Sequence, residues 1–203
     1  MTTYKGINGF TVQSFASDPV ALAAWESKAA MNTGRNCGAG LGTSTAALAA
    51  SGANSGAGYT ALTEEYNGTA WSEEANVPTA MTSFSGAGLQ TAGILYGGYN
   101  APPGAGNRDE TEHYNGTAWT GGGAMGTPHT EMGGCGTETA ALSACGHPSQ
   151  LTTSEMYNGS TWASGGTVNN GREKNTCWGT QTAGVVTGDS APSGPGAGYL
   201  AEE

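Results

Sequence analysis

A tryptophan recurs four times along the chain at nearly constant spacing, and this internal repeat constrains the fold more than any other feature. The four tryptophans lie 46, 48 and 43 residues apart: Trp25, Trp71, Trp119 and Trp162. Four threonines, each followed by alanine, repeat the same three intervals: Thr45, Thr91, Thr139 and Thr182. A unit of about 45 residues that is copied in this way cannot bury its apolar face without a neighbouring copy. The sequence therefore predicts an array of packed, equivalent units.

Each unit contains four segments of strand length. A glycine-rich segment precedes the threonine, and a short apolar run follows it, as in Ala46 to Ala50. A third segment carries Glu-x-Tyr and ends in Asn-Gly, and a fourth begins at the tryptophan. Runs this short are typical of strands, and Asn-Gly predicts a type I′ hairpin turn between the third and fourth strands. Four short antiparallel strands per repeat are typical of the blade of a β-propeller.

The two ends of the chain supply the strands that the fourth unit lacks. Gly198 to Glu203 matches the segment from Tyr59 to Glu65, and Leu22 to Trp25 is a tryptophan segment with no Glu-x-Tyr segment before it. Joining the ends would complete four blades and leave no exposed sheet edge. We therefore predict an all-β, four-bladed propeller over residues 17–203, whose last blade is closed by N- and C-terminal strands.

The first residues of the chain have no counterpart in the repeat. We interpret residues 1–16 as an N-terminal arm that docks the propeller to a partner or to neighbouring copies. The candidate contact residues of this arm are its aromatic, aliphatic and basic side chains: Tyr4, Lys5, Ile7, Phe10, Val12 and Phe15.

The charge balance excludes two classes of partner. The chain has a net charge of −10 and only six basic residues, so we expect no binding to nucleic acid or to an anionic membrane surface. It has no apolar run long enough for a membrane helix and no basic-then-apolar leader. We therefore expect neither a membrane span nor a secretion signal.

The four cysteines follow neither a Cys-x-x-Cys spacing nor the repeat. Cys37, Cys135 and Cys177 are predicted to lie on the inner, glycine-rich strands, where crowding near the axis favours small residues, and Cys145 lies elsewhere. We interpret them as small buried residues. A disulfide between neighbouring inner strands stays open as an alternative.

A glutamate recurs once in each unit and could in principle form an acidic ring: Glu64, Glu112, Glu155 and Glu202. Calcium and similar hard cations need several oxygen ligands that converge on one ion, and the clustered Asp/Asn spacing of such a site is missing from the sequence. We therefore expect these carboxylates to be solvated and to bind no metal.

A second column, ten residues before each threonine, contains a methionine and three cationic or titratable side chains, in the order Arg35, Met81, His129 and Arg172. These residues could line an anion-binding channel mouth, but we interpret them as braces between adjacent blades. The histidines show no metal-ligand spacing, and the sequence has no nucleophile elbow or phosphate loop. We therefore predict no enzyme activity and no cofactor.

The loops between the second and third strands differ most in length and chemistry: Ala53 to Thr60, Tyr99 to Asp109, His147 to Thr152 and Ser190 to Gly198. Loops gathered at one face of a rigid scaffold commonly carry its binding residues. The candidate ligand-contacting residues lie on or beside these loops and are mostly aromatic or amide side chains: Tyr59, Tyr99, Asn100, Arg108 and Tyr199.

The repeat columns resemble a degenerate kelch motif, with a glycine pair at a strand end, Tyr114 five residues before Trp119, and Met31 four residues before Arg35. The run Glu-x-Tyr-Asn-Gly-Thr-x-Trp, followed by Gly-Thr-Gln-Thr-Ala, more specifically resembles kelch-like repeats of virion structural proteins and tail fibres of marine bacteriophages. Residues 4–9 also resemble the N-termini of those proteins. The chain departs from the kelch pattern at Gly188-Asp189, which replaces the glycine pair, and where Met81 and His129 replace arginine.

The resemblance implies a multicopy, non-enzymatic virion protein, either a capsid decoration or a tail-fibre component. Such a protein would assemble in the host cytoplasm, with other virion proteins and copies of itself as partners. The alternative is a carbohydrate-binding adhesin module that recognises host-surface glycans through the variable loops. A third class, a copper-radical oxidase like the kelch-containing galactose oxidases, is disfavoured because the three histidines are scattered.

Overall fold

The computed structural model of the protein describes residues 26–54, 58–100 and 105–188. Within these ranges the chain forms antiparallel β-sheets and no helix, which confirms the prediction of an all-β fold. The same ranges accordingly hold no helix long and apolar enough to cross a membrane. The strands are β1 (Ala39–Thr43), β2 (Ala46–Ala50), β3 (Ala53–Asn54), β4 (Gly58–Tyr59), β5 (Thr63–Tyr66), β6 (Trp71–Glu74), β7 (Met81–Thr82), β8 (Ser85–Leu89), β9 (Ala92–Tyr96), β10 (Tyr99–Asn100), β11 (Thr111–Tyr114), β12 (Trp119–Gly121), β13 (Gly133–Thr137), β14 (Ala140–Ala144), β15 (Thr153–Tyr157), β16 (Trp162–Thr167), β17 (Thr176–Thr180) and β18 (Ala183–Thr187).

Three four-stranded sheets correspond to three successive repeats. Sheet 1 has the strand order β1-β2-β5-β6, sheet 2 the order β8-β9-β11-β12, and sheet 3 the order β13-β14-β15-β16. The glycine-rich strand is therefore at one edge of each sheet and the tryptophan strand at the other. Strands β17 and β18 form a two-stranded sheet, which we name hairpin 4, from the start of the fourth repeat. The remaining strands form short pairs, β3 with β4 and β7 with β10, near the loops.

The glycine-rich strands lie next to one another in chain order. Strand β1 lies beside β8, β8 beside β13, and β13 beside β17. A Cβ atom added to Gly86 would lie 2.9 Å from the carbonyl oxygen of Ile94 and 3.0 Å from a methyl carbon of Leu41 in sheet 1. The close approach of neighbouring units explains why these strands are built from small residues. Residues of all four strands line one cavity of about 470 Å³, which we name the inner-strand cavity.

Two apolar clusters fill the boundaries between the sheets. The first lies between sheets 1 and 2 and includes Leu41, Leu48, Val77, Leu95 and Trp119. The second lies between sheets 2 and 3 and includes Ala87, Ile94, Tyr96, Met125 and Ala141, with Trp162 packed against it. The apolar side chains are therefore divided among thin layers between units, each of which depends on a neighbour for its burial.

The tryptophans also fasten each sheet to the preceding one by hydrogen bonds. The indole N–H of Trp119 donates to Thr63 Oγ1 and to the carbonyl oxygen of Ala75, both at 3.0 Å. The indole N–H of Trp162 donates to Thr111 Oγ1 at 2.8 Å. A buried indole N–H needs a partner. The repeat supplies one from the neighbouring unit.

A second set of hydrogen bonds between neighbouring sheets comes from the turn between the first two strands of a unit. The side-chain amide of Gln90 donates to the carbonyl oxygens of Ala47 at 3.1 Å and Tyr66 at 3.0 Å, which both belong to sheet 1. Gln181 does the same for hairpin 4, because its amide donates to the carbonyl oxygens of Ala141 and Tyr157 in sheet 3.

The Asn-Gly turns differ from the prediction. Tyr66 pairs with Trp71, so the turn is a four-residue loop and not a two-residue type I′ turn. Gly68 has a positive φ of 91°, whereas Asn67 does not. The Asn67 Oδ1 atom accepts the backbone N–H groups two and three residues later, at 3.0 and 2.9 Å. The asparagine thus stabilises the loop through its side chain, as an Asx turn, and the same contacts recur in the next two units.

Hairpin 4 presents two large apolar side chains to solvent. Trp178 is 60 % exposed and Val185 is 43 % exposed, although the equivalent pair Leu41 and Leu48 in sheet 1 is buried at 9 % and 1 %. The strands predicted to complete the fourth unit, Leu22 to Trp25 and Gly198 to Glu203, lie outside the described residues.

Candidate binding site

The chain leaves the second strand of each unit through a tight turn that is bound to the following unit. Ser51, Gly97 and Cys145 have positive φ, and each is followed by a glycine that does too. The backbone N–H of Gly98 donates to the carbonyl oxygen of His129 at 2.9 Å, and the glycines of sheets 1 and 3 make the equivalent bonds. A Cβ atom at Gly98 would lie 2.6 Å from Phe84 Cβ, so glycine is required at this position. The loops therefore start from fixed points.

Four residues with left-handed backbone, one from each unit, lie just before the glycine-rich strands: Cys37, Ser83, Glu131 and Lys174. Their φ angles lie between 52° and 57°. The N–H of Ser83 donates to the carbonyl oxygen of Cys37 at 3.0 Å. In the same way Glu131 donates to Ser83 and Lys174 to Glu131, both at 2.8 Å. A continuous chain of backbone hydrogen bonds therefore links the four units at the end where the loops emerge.

A cavity of about 380 Å³ opens at this end of the molecule, and we name it the loop-end cavity. Its lining comes from the three described loops and from the segments that carry the left-handed residues: Tyr59, Thr82, Ser83, Tyr99, Asn107, Thr130, Glu131, His147, Glu173 and Lys174. The volume lies within the range of small-molecule sites. The lining combines two half-buried aromatic rings with hydroxyl, amide and charged groups.

The charged groups of the loop-end cavity are partly paired. His147 Nδ1 lies 3.1 Å from Glu173 Oε2, and the side-chain amide of Asn107 lies 3.5 Å from the carbonyl oxygen of His147. Glu131 and Lys174 contribute one acidic and one basic group to the same surface. The arrangement offers hydrogen-bond donors and acceptors around aromatic faces, which suits a polar ligand with many hydroxyl groups.

The structure brings together two of the five predicted ligand residues. Tyr59 and Tyr99 both line the loop-end cavity. Asn100 is instead buried, and its Oδ1 atom accepts the N–H of Gly106 at 3.0 Å, so it holds its own loop in shape. Arg108 forms an ion pair with Glu110 and does not belong to the cavity lining. Tyr199 lies outside the described residues, as do all six predicted contact residues of the arm, Tyr4, Lys5, Ile7, Phe10, Val12 and Phe15.

The prediction that the glutamate column is solvated is wrong for the three described members. Glu64, Glu112 and Glu155 are at most 8 % exposed. Glu155 accepts the backbone N–H groups of Gly126 and Thr127 at 2.6 and 3.1 Å. Glu64 likewise accepts the N–H groups of Asn32 and Thr33, in the segment that precedes sheet 1. A carboxylate can be buried when backbone donors and a cation satisfy it.

Residues of the arginine and histidine column make two kinds of contact. Their side chains bind groups of their own unit, and their carbonyl oxygens accept hydrogen bonds from the preceding unit. Arg35 forms a buried ion pair with Glu64 and donates to the carbonyl oxygen of Leu62 at 2.6 Å. Arg172 is 1 % exposed. The carbonyl oxygens of His129 and Arg172 accept N–H groups from the glycines of the preceding sheets. The bracing that was predicted therefore comes from the backbone of this column, while its side chains support the loop ahead of each sheet.

His129 is a buried structural histidine. Its Nδ1 atom lies 2.6 Å from the carbonyl oxygen of Thr127, so Nδ1 carries the proton. Its Nε2 atom then accepts a hydrogen bond from Ser143 Oγ at 2.9 Å. Burial lowers the pKa of His129, which keeps the ring neutral in this arrangement.

A tyrosine, a histidine and a glutamate form a chain of two hydrogen bonds between sheets 2 and 3. His113 Nε2 lies 2.8 Å from the hydroxyl of Tyr157, and His113 Nδ1 lies 2.9 Å from Glu138 Oε1. Tyr157 is fully buried, and burial raises the pKa of its hydroxyl. The phenol therefore stays protonated and donates to His113. The two hydrogen bonds link sheet 2 to sheet 3.

The described residues hold no group of three or more His, Cys, Asp or Glu side chains that could bind a metal ion. Cys37, predicted on an inner strand, lies two residues before β1 and is exposed. Cys135 and Cys177 do lie on inner strands and are buried.

No family model matches the chain, and a search of curated proteins found no match either.

Proposed function

We propose that the chain is a non-enzymatic structural protein of a bacteriophage particle, a capsid decoration or a tail-fibre component, that displays a four-bladed kelch-like β-propeller. The observation that carries the proposal is the repeat. The residues by which the chain resembles phage virion proteins include some that join its units, as Trp119 and Trp162 illustrate. A module joined in this way holds its loops in fixed relative positions, which suits display on a particle surface.

The fourth blade of the proposed propeller consists of hairpin 4 and two strands from the chain ends. Hairpin 4 has the same register as the first two strands of each sheet, because Trp178 pairs with Val185 as Leu41 pairs with Leu48. In a closed ring, Trp178 and Val185 would pack on sheet 1, at the positions of Gly40 and Ala47. A Cβ atom added to Gly40 would have no neighbour within 4 Å, so sheet 1 has room there.

A cavity on sheet 3 supports the N-terminal part of this proposal. It has a volume of about 340 Å³, and Ser154 and Gly166 are among its lining residues. These two positions correspond in the repeat to Thr63 and Ala75, which accept the indole N–H of Trp119. In sheet 3, the Ser154 hydroxyl donates to the Gly166 carbonyl at 2.7 Å. The cavity thus has acceptors at the positions that bind the indole N–H in sheet 1, and we name such a site a tryptophan socket.

Trp25 is the tryptophan that the repeat assigns to this socket. The spacing of the tryptophans leaves one for each unit, and Trp119 and Trp162 already occupy the sockets of sheets 1 and 2. Arg172 supports the C-terminal part of the proposal, because it is buried at the position where Arg35 pairs with Glu64. Glu202 would then be the partner of Arg172.

Purified particles of the phage that encodes this chain should contain it in many copies. Mass spectrometry of the particles, combined with electron microscopy, would measure its presence and position. Deletion of residues 1–16 should reduce incorporation at least tenfold, because the arm is proposed to dock the propeller, while the circular dichroism spectrum of the purified variant stays unchanged. Particles without the chain would contradict the virion function. Undiminished incorporation of the variant would contradict only the role of the arm.

The loop-end cavity favours glycan binding as a second candidate function. Aromatic rings pack against the apolar faces of sugars, while amide, hydroxyl and charged groups fix the orientation of the sugar hydroxyl groups. Tyr59, Tyr99 and Asn107 provide this combination within one cavity. The proposed ligand is a glycan on the host surface.

On an array of bacterial surface glycans, the wild-type protein should bind a subset of sugars, and Tyr99→Ala should reduce that signal at least tenfold. The loss follows from removing one of the two aromatic faces of the cavity. Leu89→Ala is the matched control, because Leu89 is 55 % exposed and ends β8 at the opposite end from the loops. If the wild-type protein bound no glycan on the array, or if both variants reduced binding equally, the result would contradict this function.

A further inference from the structure

Two cysteines from neighbouring units face each other across the boundary between sheet 3 and hairpin 4. Cys135 lies on β13 and Cys177 on β17, and their sulfur atoms are 2.8 Å apart. Both side chains are buried, at 7 % and 5 % exposure. Their separation along the chain is 42 residues, so the pair is a long-range contact.

The repeat explains why these two thiols meet. Cys135 occupies the position of Leu41 and Ala87, whose side chains point from one unit into the next. Cys177 occupies the position of Gly86, which lies against Leu41, and of Gly134. At the other described boundaries the receiving residue is glycine. At this boundary it carries a thiol, so two side chains meet where elsewhere there is one.

The electrostatics of the pair assign different roles to the two sulfurs. The hydrogen bond between the two sulfurs lowers the pKa of the Cys135 thiol, and the same hydrogen bond, together with burial, raises the pKa of the Cys177 thiol. Cys135 is therefore the sulfur of the pair that loses its proton more readily. A thiolate is the nucleophile in thiol–disulfide exchange.

The pair borders a cavity through which we expect an oxidant to approach. Cys135 and Cys177 both line the inner-strand cavity of about 470 Å³, together with glycines of the same strands. The pair therefore lies in the wall of this cavity, although each side chain is more than nine-tenths buried.

We propose that Cys135 and Cys177 form a disulfide that joins sheet 3 covalently to hairpin 4. With oxidised glutathione as the oxidant, the Cys135 thiolate attacks one glutathione sulfur, forms a mixed disulfide and releases one glutathione thiolate. Cys177 then gives its proton to that thiolate and attacks the Cys135 sulfur, which releases the second glutathione. The two protein thiols lose two electrons, the oxidised glutathione gains them, and the two protons end on the two glutathione thiols.

The bond would lock the last described hairpin to the rest of the molecule. Hairpin 4 contacts sheet 3 through β13 and β14. A covalent link at β13 and β17 removes the ability of hairpin 4 to separate while sheet 3 stays folded. Closing a loop of this length also restricts the unfolded chain, which raises stability.

Peptide mapping of the full-length protein tests the proposal directly. The reduced protein is incubated with oxidised glutathione, its free thiols are blocked with an alkylating reagent, and it is cleaved after glutamate. Glutamates at positions 64, 131, 138, 155 and 173 place the four cysteines on four different peptides. We expect one cross-linked species, which joins the peptides of Cys135 and Cys177, while Cys37 and Cys145 remain unlinked to each other or to this pair. Alkylation of both Cys135 and Cys177, or their linkage to other cysteines, would overturn the proposal.

Thermal unfolding provides the second readout. The oxidised protein should unfold at a midpoint roughly 5–15 °C higher than the reduced protein. Cys135→Ser and Cys177→Ser should abolish this difference between oxidised and reduced samples. Cys37→Ser is the matched control, because Cys37 is exposed and outside the pair, and it should keep the full difference. An equal midpoint for the oxidised and reduced wild-type protein would count against the proposed link.

Discussion

Glu64→Gln should lower the free energy of unfolding by about 3–5 kcal/mol, because it breaks a buried ion pair and leaves one charge without a partner. The Glu64 side chain is fully buried, and that of Arg35 is 3 % exposed. The Glu64 carboxylate accepts the backbone N–H groups of Asn32 at 2.6 Å and Thr33 at 3.1 Å in addition to the guanidinium group. Glutamine can replace one acceptor oxygen, but its NH₂ group would face donors, and the charge of Arg35 would stay buried.

Urea denaturation at pH 7, followed by tryptophan fluorescence, measures this loss, and sheet 2 provides the matched control. Glu112 occupies the same position as Glu64 and is also buried. Pro78 stands where sheet 1 has Asn32 and has no N–H to donate, and Met81 replaces the arginine. Glu112 Oε2 consequently has no hydrogen-bond partner among the described residues. We expect Glu112→Gln to be neutral or stabilising, although the chemical change is the same.

The pH dependence of the control distinguishes its mechanism. Burial raises the pKa of Glu112 above its ordinary value of 4.5. The wild-type protein therefore keeps its full stability below pH 4.5, where Glu112 is protonated in both the folded and the unfolded state. It loses stability as the pH rises through the higher pKa of the folded state, because folding then opposes ionisation of the carboxyl group. The advantage of Glu112→Gln should therefore appear above pH 4.5 and vanish below it. Equal losses for the two variants at pH 7 would show that hydrogen bonding does not decide the difference between these sites.

The strands could be predicted from the sequence because their signals are local. Glycine-rich runs, Thr-Ala and Asn-Gly mark strand ends, and the regular spacing of Trp71, Trp119 and Trp162 identifies equivalent strands. Strand order within each sheet then follows from short connections between antiparallel neighbours. The turn type was predicted incorrectly because asparagine can stabilise a turn through its side chain as well as through its backbone, and composition does not separate the two.

The burial of the glutamates could not be predicted because their partners are distant in sequence. Glu155 is satisfied by Gly126 and Thr127, almost 30 residues earlier. A carboxylate on a short strand is solvated or buried according to whether backbone N–H groups reach it, and the strand itself carries no information on those groups. The pattern that could have indicated burial is the joint repetition of Glu64 with Arg35, one acidic and one basic residue in fixed columns.

The loop-end cavity was predictable in part for a similar reason. Tyr59 and Tyr99 were found because they lie on loops that vary in length between units. Ser83, Glu131 and Lys174 were missed, since their left-handed backbone is imposed by hydrogen bonds between units. Residues other than glycine in that conformation have little sequence signature. Their common position, eight residues before each repeated threonine, becomes visible only when the structure shows what that position does.

Trp25→Ala should lower the free energy of unfolding by about 3–5 kcal/mol if Trp25 fills the sheet-3 cavity, because truncation of a buried tryptophan leaves a large cavity. Trp119→Ala sets the reference, since Trp119 is 9 % exposed and hydrogen-bonded to Thr63 and Ala75 in the equivalent socket. Urea denaturation of both variants at equal protein concentration compares the two sockets. A cost for Trp25→Ala below about 0.5 kcal/mol, beside a full cost for Trp119→Ala, would mean that the fourth blade does not close with this strand.

Two further variants separate the packing of the indole from its hydrogen bond. Trp25→Phe keeps a six-membered aromatic ring but removes the N–H donor and the second ring of the indole, so it should cost less than Trp25→Ala because part of the packing is kept. Ser154→Ala removes one acceptor of the proposed socket, and its effect should be smaller in the Trp25→Phe background than in the wild type. Strictly additive costs would place Trp25 away from Ser154. A coupling between them would indicate that the N-terminal strand closes the ring. Each tryptophan of the repeat would then bind its unit to the preceding one.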